Sequence, residues 1–293
     1  MKKTVYCTIL AIVGLLAACS GGRASDTAPR RLAVSIEPLR ALLEPLARGR
    51  FEVAGVMDRG GDPENFEPSI SRRMAVDASE AFFITGGLPF ERALADAAPP
   101  AVSVVDVSQG IDPVYGTHDH CGHAHAEGEN HAHGMPDPHI WTSARNARRI
   151  AATMAATLAR LDPEAAPLYA ARLDSLDAVL ATLDSTAAAT IAASGARAFM
   201  VWHPSLSYLA RDYGLRQVAL GAEGKDFSAA GMRDAIRDAR DARAGVFFVQ
   251  RGLDPTQAAG VCREAGARTV AIDPLAYDWQ QQIKTIADEL ARH

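Results

Sequence analysis

The chain has 293 residues, of which 48% are hydrophobic, 6% aromatic and 22% charged. This length supplies enough apolar side chains for a large core and predicts about two domains. The formal net charge of −5 falls to −7 once Lys2 and Lys3 leave with the N-terminal leader described next, and a surface of this sign disfavours nucleic acid as a partner.

Residues 1–18 have the composition of a secretory signal. A basic start precedes an apolar run over 5–18, which is too short to span a bilayer comfortably and ends in small residues. Residues 16–19, Leu-Ala-Ala-Cys, resemble the lipobox of bacterial lipoproteins, and this resemblance implies acylation of Cys19. The alternative is an ordinary signal peptide with a coincidental cysteine. Residues 19–30 then form a polar tether.

Between residues 31 and 161, short apolar runs alternate with amphipathic segments. The predicted strands are 32–36, 51–57, 81–85 and 102–107, and the predicted helices are 38–48, 69–78, 89–97 and 143–161. Strands separated by helices in this way predict an α/β lobe, in which a four-stranded parallel sheet is covered by helices.

One long helix follows over residues 162–194. Asp162 and Pro163 provide its cap and first turn, and Gly195 ends it. About thirty residues with a rise of 1.5 Å each form a rod of roughly 45 Å, which predicts a rigid link and not a flexible hinge. The apolar stripe of the helix is Leu168, Leu173, Leu176, Leu180, Leu183, Ala187 and Ile191.

The alternating pattern returns over residues 195–293. The predicted strands are 198–202, 217–220, 246–250 and 269–272, and the predicted helices are 205–212, 228–242, 255–265 and 279–292. This part of the chain therefore predicts a second lobe with a four-stranded parallel sheet. It repeats the architecture of the first lobe without clear identity between residues.

Seven of the nine histidines lie between residues 117 and 141. Neutral imidazole is a nitrogen ligand for zinc and related metals. Residues 117–135 contain too little apolar surface to pack, so we predict a His-rich loop that gathers metal weakly; the alternative is a solvated polar loop. Its candidate ligands are His118, His120, His123, His125, His131 and His133. His139 differs from these, because Pro136 and Pro138 stiffen the backbone before it.

The four cysteines predict no disulfide. Cys7 leaves with the signal and Cys19 is the acylation site, so only Cys121 and Cys262 remain to pair. Cys121 lies in the His-rich loop and Cys262 in a predicted helix, and a bond between them requires a fixed loop.

Four candidate metal ligands follow predicted strands. Glu64 follows the second strand, His139 the fourth, His203 the fifth and Asp273 the last. Because ligands of parallel sheets bind beyond the carboxyl ends of the strands, these side chains are expected to meet in a cleft between the lobes. Taken singly, each residue has another interpretation: Glu64 as a solvated loop carboxylate, His203 as a histidine packed beside Trp202, and Asp273 as a helix cap.

Six short motifs carry a family resemblance, in order and at similar spacing. They are SIEP at 35–38, GGDPENFEPS at 60–69, GLPFE at 87–91, DPHIW at 137–141, VWHPSLSYLARDYGL at 201–215 and IDPL at 272–275. With these motifs the chain resembles the metal-binding solute receptors of bacterial ABC transporters, of the ZnuA and TroA type. The segments around His139 and His203 are the most specific.

The resemblance implies two lobes joined by a rigid helix, with a metal held between them and a His-rich loop that is common in zinc-specific members. His139, His203 and Asp273 fall on the ligand positions of the family. Glu64 departs from the pattern, because the family usually has a histidine there. If Glu64 does not bind, Glu67 or a water completes the shell.

We therefore predict a lipid-anchored, monomeric receptor on the extracytoplasmic face of the cell envelope. It captures Zn²⁺ and delivers it to an ABC permease and its ATPase in the inner membrane, with a modest closure of the lobes. Mn²⁺ or Fe²⁺ is the alternative cargo, since oxygen ligands favour these ions. A secreted zinc hydrolase is one rival, although the sequence has no HExxH pair; a periplasmic zinc buffer or adhesin is another.

Overall fold

The computed structural model describes residues 29–57, 60, 62–115, 136–222, 225–226, 229–250 and 255–292. The predicted leader, Cys19, Cys121 and the weak ligands of the His-rich loop lie outside the described residues. These ligands are His118, His120, His123, His125, His131 and His133.

The first lobe is built on a parallel sheet of four strands in the order β2-β1-β3-β4. The strands are β1 (Arg31–Val34), β2 (Glu52–Gly55), β3 (Ala81–Ile84) and β4 (Ser103–Asp106). Its helices are α1 (Glu37–Ala47), α2 (Ile70–Asp77), α3 (Pro89–Ala97) and α4 (Ala144–Leu161). Val34 pairs with Gly55 on one side and with Phe83 on the other, so the carboxyl ends of these strands meet at one edge of the sheet.

The second lobe repeats this plan with the strand order β10-β9-β5-β6. The strands are β5 (Ala198–Val201), β6 (Arg216–Ala219), β9 (Val246–Gln250) and β10 (Arg268–Ile272), and the helices are α6 (Ser207–Tyr213), α7 (Ala229–Asp241), α8 (Pro255–Ala265) and α9 (Trp279–Leu290). The predicted fold of two helix-covered parallel sheets is confirmed. A short hairpin of β7 (Gly221–Ala222) and β8 (Lys225–Asp226) was not predicted, because two-residue strands carry no periodicity.

The inner strands explain why the sheets form. Every residue of β3 and β5 is buried, as expected for strands with neighbours on both sides and helices on both faces. The edge strands β2 and β4 are only partly buried. The apolar runs in the sequence are therefore most continuous in the strands that neighbouring strands and helices bury most completely.

A single helix, α5 (Ala166–Ser194), connects the lobes after a 3₁₀ turn at Pro163–Ala165. It ends at Gly195, whose φ of 71° is the left-handed conformation that glycine adopts without strain. By length and composition alone, residues Pro163–Ser194 could cross a membrane, since an 18-residue window within them has a mean hydropathy of 1.3. Their apolar side chains instead pack against α1, α4 and α9, so the helix supports both lobes.

The predicted apolar stripe on α5 was wrong at one residue, Leu168. Leu168 is 40% exposed, while the neighbouring Tyr169 is buried. The Tyr169 hydroxyl donates to Oδ2 of Asp162 at 2.8 Å, and this bond brings the ring into the core. A stripe chosen for aliphatic side chains overlooks an amphipathic tyrosine that buries its ring and satisfies its hydroxyl.

Asp162 joins the start of α5 to the first lobe. Its carboxylate accepts two hydrogen bonds from the Arg50 guanidinium, at 2.8 and 2.9 Å, in addition to the bond from Tyr169. The hydrogen bond from Tyr169 and the charge of Arg50 hold the pKa of Asp162 below its ordinary value. The buried carboxylate therefore stabilises the fold as an anion.

Asp162→Asn should lower the free energy of unfolding by about 1–3 kcal/mol at pH 7, because it removes charge-assisted hydrogen bonds from a buried group. A depressed folded-state pKa contributes stability that is present above the unfolded value of about 3.9 and is lost as the pH falls through the folded value. The difference between wild type and variant should therefore shrink as the pH drops below about 4. Denaturant unfolding at several pH values measures both effects.

Asp177→Asn provides the control. Asp177 also accepts from an arginine, with Arg148 Nε at 2.6 Å, but both side chains of this pair are solvent-exposed. The exposed pair should contribute at most about 1 kcal/mol. Equal losses in the two variants would contradict the role given to Asp162.

Candidate metal centre

The four predicted ligands all follow strands in the structure. Glu64 lies in the loop between β2 and α2, and His139 lies in the segment between β4 and α4. His203 lies two residues after the end of β5, and Asp273 comes directly after β10. Two residues thus come from each lobe.

Three of these side chains approach one another closely. His203 Nε2 lies 3.1 Å from Glu64 Oε1 and 3.3 Å from His139 Nε2. One donor atom from each of the three residues lies within 4.8 Å of the other two. Ligands bound to zinc at 2.0–2.2 Å in a tetrahedron are about 3.3–3.6 Å apart, so this spacing fits one face of a metal coordination sphere.

His139 is held in one orientation by Asp137. Oδ1 of Asp137 lies 2.8 Å from His139 Nδ1 and accepts a second hydrogen bond, also 2.8 Å, from the His139 backbone N–H. Burial acts to raise the pKa of Asp137, but the interactions with His139 outweigh it and the pKa lies below its ordinary value. With Nδ1 engaged by the carboxylate, Nε2 of the buried ring is directed at His203.

This role of Asp137 was not predicted from the sequence. The signal was available in the spacing, because an aspartate two residues before a histidine can accept from its backbone N–H in an Asx turn. Whether the same carboxylate also reaches the ring depends on the histidine rotamer, which periodicity and composition do not reveal.

The surroundings of His139 fix the segment that carries it. The ring centroid lies 5.2 Å from that of Trp141, whose Nε1 donates to the Pro274 carbonyl of the second lobe at 2.9 Å. On the other side, Pro138 packs against Gly87, where an added Cβ would lie 2.6 Å from the Pro138 Cβ. Gly87 is required here because no larger residue leaves room for the proline.

The turn that holds Gly87 is organised by a buried carboxylate, Glu91. Its oxygens accept from the Thr85 backbone N–H at 2.7 Å, from the Thr85 hydroxyl at 2.8 Å and from the Gly86 N–H at 3.0 Å. Burial raises the pKa of Glu91. The GLPFE motif therefore has a structural role next to the site.

Glu64 is positioned by local turn chemistry. Asp62 Oδ1 accepts from the Glu64 backbone N–H at 3.0 Å, and Asp62 Oδ2 accepts from the Asn65 side chain at 2.7 Å. Phe66 packs edge-on against Phe90 of α3, with ring centroids 5.0 Å apart. The loop is thereby anchored to the lobe, and the half-buried Glu64 carboxylate faces His203.

Asp273 lies outside the group of three. Its backbone N–H donates to Gln282 Oε1 at 2.9 Å, and its Oδ1 accepts from the Leu275 N–H at 3.2 Å. Glu67, the substitute considered for Glu64, is exposed and is also outside the group. Within the described residues, the structure thus gathers Glu64, His139 and His203, with Asp273 at the adjoining strand end.

Comparison with known proteins decides the family. The model of the family described as "Zinc-uptake complex component A periplasmic", ZnuA, matches residues 32–292. The chain belongs to the ZnuA family. The resemblance inferred from the six motifs is therefore confirmed, and the protein is a metal-binding solute receptor of the ZnuA/TroA type.

Individual relatives agree with this assignment. A crystal structure of a ZnuA deletion mutant with zinc bound is 29% identical with a TM-score of 0.78, covering 90% of this chain and 97% of that one. The zinc-binding lipoprotein AdcA of Streptococcus pneumoniae (strain R6) is 21% identical over 291 residues, 94% of this chain and 56% of AdcA. The chain thus spans about half the length of AdcA.

A third relative shares the fold alone. The Mn-bound periplasmic metal-binding protein of candidatus liberibacter asiaticus is 19% identical with a TM-score of 0.75, covering 89% of this chain and 99% of that chain. The family description refers to a periplasmic component of a zinc-uptake complex, and the relatives named above are metal-binding proteins. The hydrolase alternative therefore has no support from the relatives.

Asp137→Asn should weaken metal binding by about 10- to 100-fold, because outer-shell partners of this kind orient the ligating histidine. Isothermal titration with zinc measures the effect. Asp106→Asn is a matched control, since Asp106 Oδ1 accepts from the Ser108 backbone N–H at the same 2.8 Å but orients no histidine. A similar loss of affinity in both variants would show that the effect is a general one on folding.

Proposed function

We propose that this protein captures one Zn²⁺ between its lobes and delivers it to the permease of an ABC transporter for import. The observation that carries this proposal is the meeting of Glu64, His139 and His203 across the lobes, with one donor atom from each within 4.8 Å of the others. Such a cluster binds a cation only while the lobes are together, which suits capture and release.

We assign Asp273 as the fourth ligand. It follows β10 beside the Pro274 carbonyl, which Trp141 binds at 2.9 Å, so the segment lies next to the segment of His139. Two neutral imidazoles and two carboxylates neutralise the charge of a divalent ion. The family resemblance supports Asp273, His139 and His203 in this role, and geometry supports Glu64.

Zinc is the cargo that this donor set suits best. Zinc accepts nitrogen and carboxylate oxygen in a four-coordinate site, and its affinity for such a site exceeds that of manganese or ferrous iron. The names of the ZnuA structure and of AdcA, which refer to zinc, are consistent with this choice. Mn²⁺ and Fe²⁺ remain the alternatives, because Glu64 adds an oxygen where the family usually has an imidazole.

Release follows from the division of the ligands between two lobes. Separation of the lobes leaves each with only two of the four donors, so affinity falls steeply on opening. The rigid helix α5 restricts the amplitude of this motion, and the permease and its ATPase in the inner membrane supply the acceptor. Acylated Cys19 would keep the monomeric receptor at the membrane, and the His-rich loop over 117–135 would gather zinc weakly.

Deletion of residues 117–133 should leave one tightly bound zinc per chain and remove only weak additional binding. Elemental analysis and competitive titration of zinc against manganese measure stoichiometry and preference. Loss of all binding on deletion would favour the zinc-buffer alternative. Preferential loading with manganese would overturn the choice of zinc while leaving the receptor assignment intact.

Glu64→Ala should weaken zinc binding by at least about 100-fold, because even outer-shell residues cost 10- to 100-fold. Glu67→Ala is the matched control, since it removes an exposed carboxylate of the same loop and should change affinity much less. Chelator competition measures both affinities. Equal affinities of wild type and Glu64→Ala would exclude Glu64 as a ligand.

A further inference from the structure

The segment that carries Asp273 contacts the first lobe at two points. Trp141 Nε1 donates to the Pro274 carbonyl at 2.9 Å, and the Tyr277 hydroxyl donates to Oε2 of Glu44 at 2.5 Å. Pro274 and Tyr277 belong to the second lobe, whereas Trp141 and Glu44 belong to the first. A short stretch of one lobe is therefore bound by side chains of the other.

Arg40 of the first lobe contacts both Glu44 and the ring of Tyr277. Arg40 Nε lies 3.0 Å from Oε1 of Glu44, and its guanidinium carbon lies 5.2 Å from the centroid of the Tyr277 ring. Arg40 also pairs with the buried Glu37 at 3.0 Å. Burial, together with the hydrogen bond to Glu44, raises the pKa of Tyr277 to about 12, so the hydroxyl is a donor at neutral pH.

Asp273 and Tyr277 are connected by a compact turn. Oδ1 of Asp273 accepts from the Leu275 N–H at 3.2 Å, and its backbone carbonyl accepts from the Ala276 N–H at 3.0 Å. A displacement of Tyr277 is therefore transmitted to Asp273 through a turn that is fixed by its own hydrogen bonds.

We propose that Tyr277 and Glu44 form a latch between the lobes, which positions Asp273 and slows release of the bound cation. This inference rests on the proposed function, since it concerns the same site. The two residues are positioning residues: the Tyr277–Glu44 bond joins the lobes without contributing a donor to the cation. Separation of the lobes breaks this bond, so the latch favours the closed state.

The kinetic consequence is specific. If the latch stabilises only the closed state, its removal increases the population of the open state and accelerates dissociation. Association begins from the open state, where the bond is absent, so its rate should change little. A general defect in folding has no reason to show this separation of the two rates.

Tyr277→Phe should release zinc about tenfold faster than wild type, with an unchanged association rate, because it removes one hydrogen bond to a charged acceptor. Stopped-flow mixing of the zinc-loaded chain with a chelator measures release. Tyr169→Phe is the matched control, since it removes a 2.8 Å hydrogen bond from tyrosine to the carboxylate of Asp162, away from the cleft. The latch would be overturned if Tyr277→Phe released zinc at the wild-type rate, or if the control accelerated release equally.

Glu44→Ala provides a second route to the same bond. It should accelerate release to a similar extent, and the double variant with Tyr277→Phe should be no faster than either single variant. If the two substitutions multiplied each other's effect on the release rate, the residues would act separately and the proposal would be contradicted.

Amide exchange separates the latch from the proposed function. In the zinc-loaded protein, the N–H groups of Leu275 and Ala276 should exchange faster in Tyr277→Phe than in wild type or Tyr169→Phe. Unchanged exchange would overturn the latch. A wild-type chain that takes up manganese and no zinc would instead refute the proposed zinc function, while the same exchange measurement on the manganese-loaded protein still tests the latch.

Discussion

The close approach of two imidazole nitrogens, His139 Nε2 and His203 Nε2 at 3.3 Å, constrains the rest of the structure. Asp137 Oδ1 lies 2.8 Å from Nδ1 of His139, and a neutral ring that donates there presents the lone pair of Nε2 to His203. Glu64 adds an anionic oxygen at 3.1 Å from His203. Electron-rich atoms at these distances repel one another unless a proton or a metal cation lies among them. The folded lobes thus create a local demand for a proton or a cation.

That demand can be maintained only if the lobes are held at a fixed separation. Contacts outside the cluster meet this requirement: Ser143 donates to Asp212 across the lobes, and the Tyr208 hydroxyl donates to the Asp137 carbonyl at 3.0 Å. The second of these bonds joins the second lobe to the residue that orients His139. Relative motion of the lobes and orientation of a ligand are therefore linked by direct contacts.

The sequence predicted the sheets and helices well because their signals are repetitive. Buried strands such as Ala81–Ile84 and the long apolar helix α5 contain several residues that report the same environment. The burial and partners of individual side chains were harder to predict from the sequence. The burial of Tyr169 in place of Leu168 depends on one hydrogen bond to Asp162, and a two-residue hairpin has no period. Such features depend on partners that are distant in sequence or on one rotamer.

The candidate site shows the same division. Strand ends indicated where the ligands should lie, and parallel topology brought Glu64, His139 and His203 together. The orientation of His139 by Asp137 could not be predicted from spacing alone, because it requires a particular ring rotamer. The hydrogen bond from Tyr277 to Glu44 joins residues 233 positions apart and leaves no local signal.

Glu64 affects how strongly binding of the cation is coupled to closure of the lobes. With the proposed ligands, two carboxylates and two neutral imidazoles balance a divalent ion, so the closed and loaded cleft buries no net charge. Without the ion, closure brings two carboxylates into a partly buried space, which is unfavourable because their charges lose hydration. A third imidazole in place of Glu64 would leave a positive charge in the loaded cleft and would weaken this difference. In the proposed site, Glu64 would therefore make occupancy by the cation, more than contact between the lobes alone, the condition for stable closure.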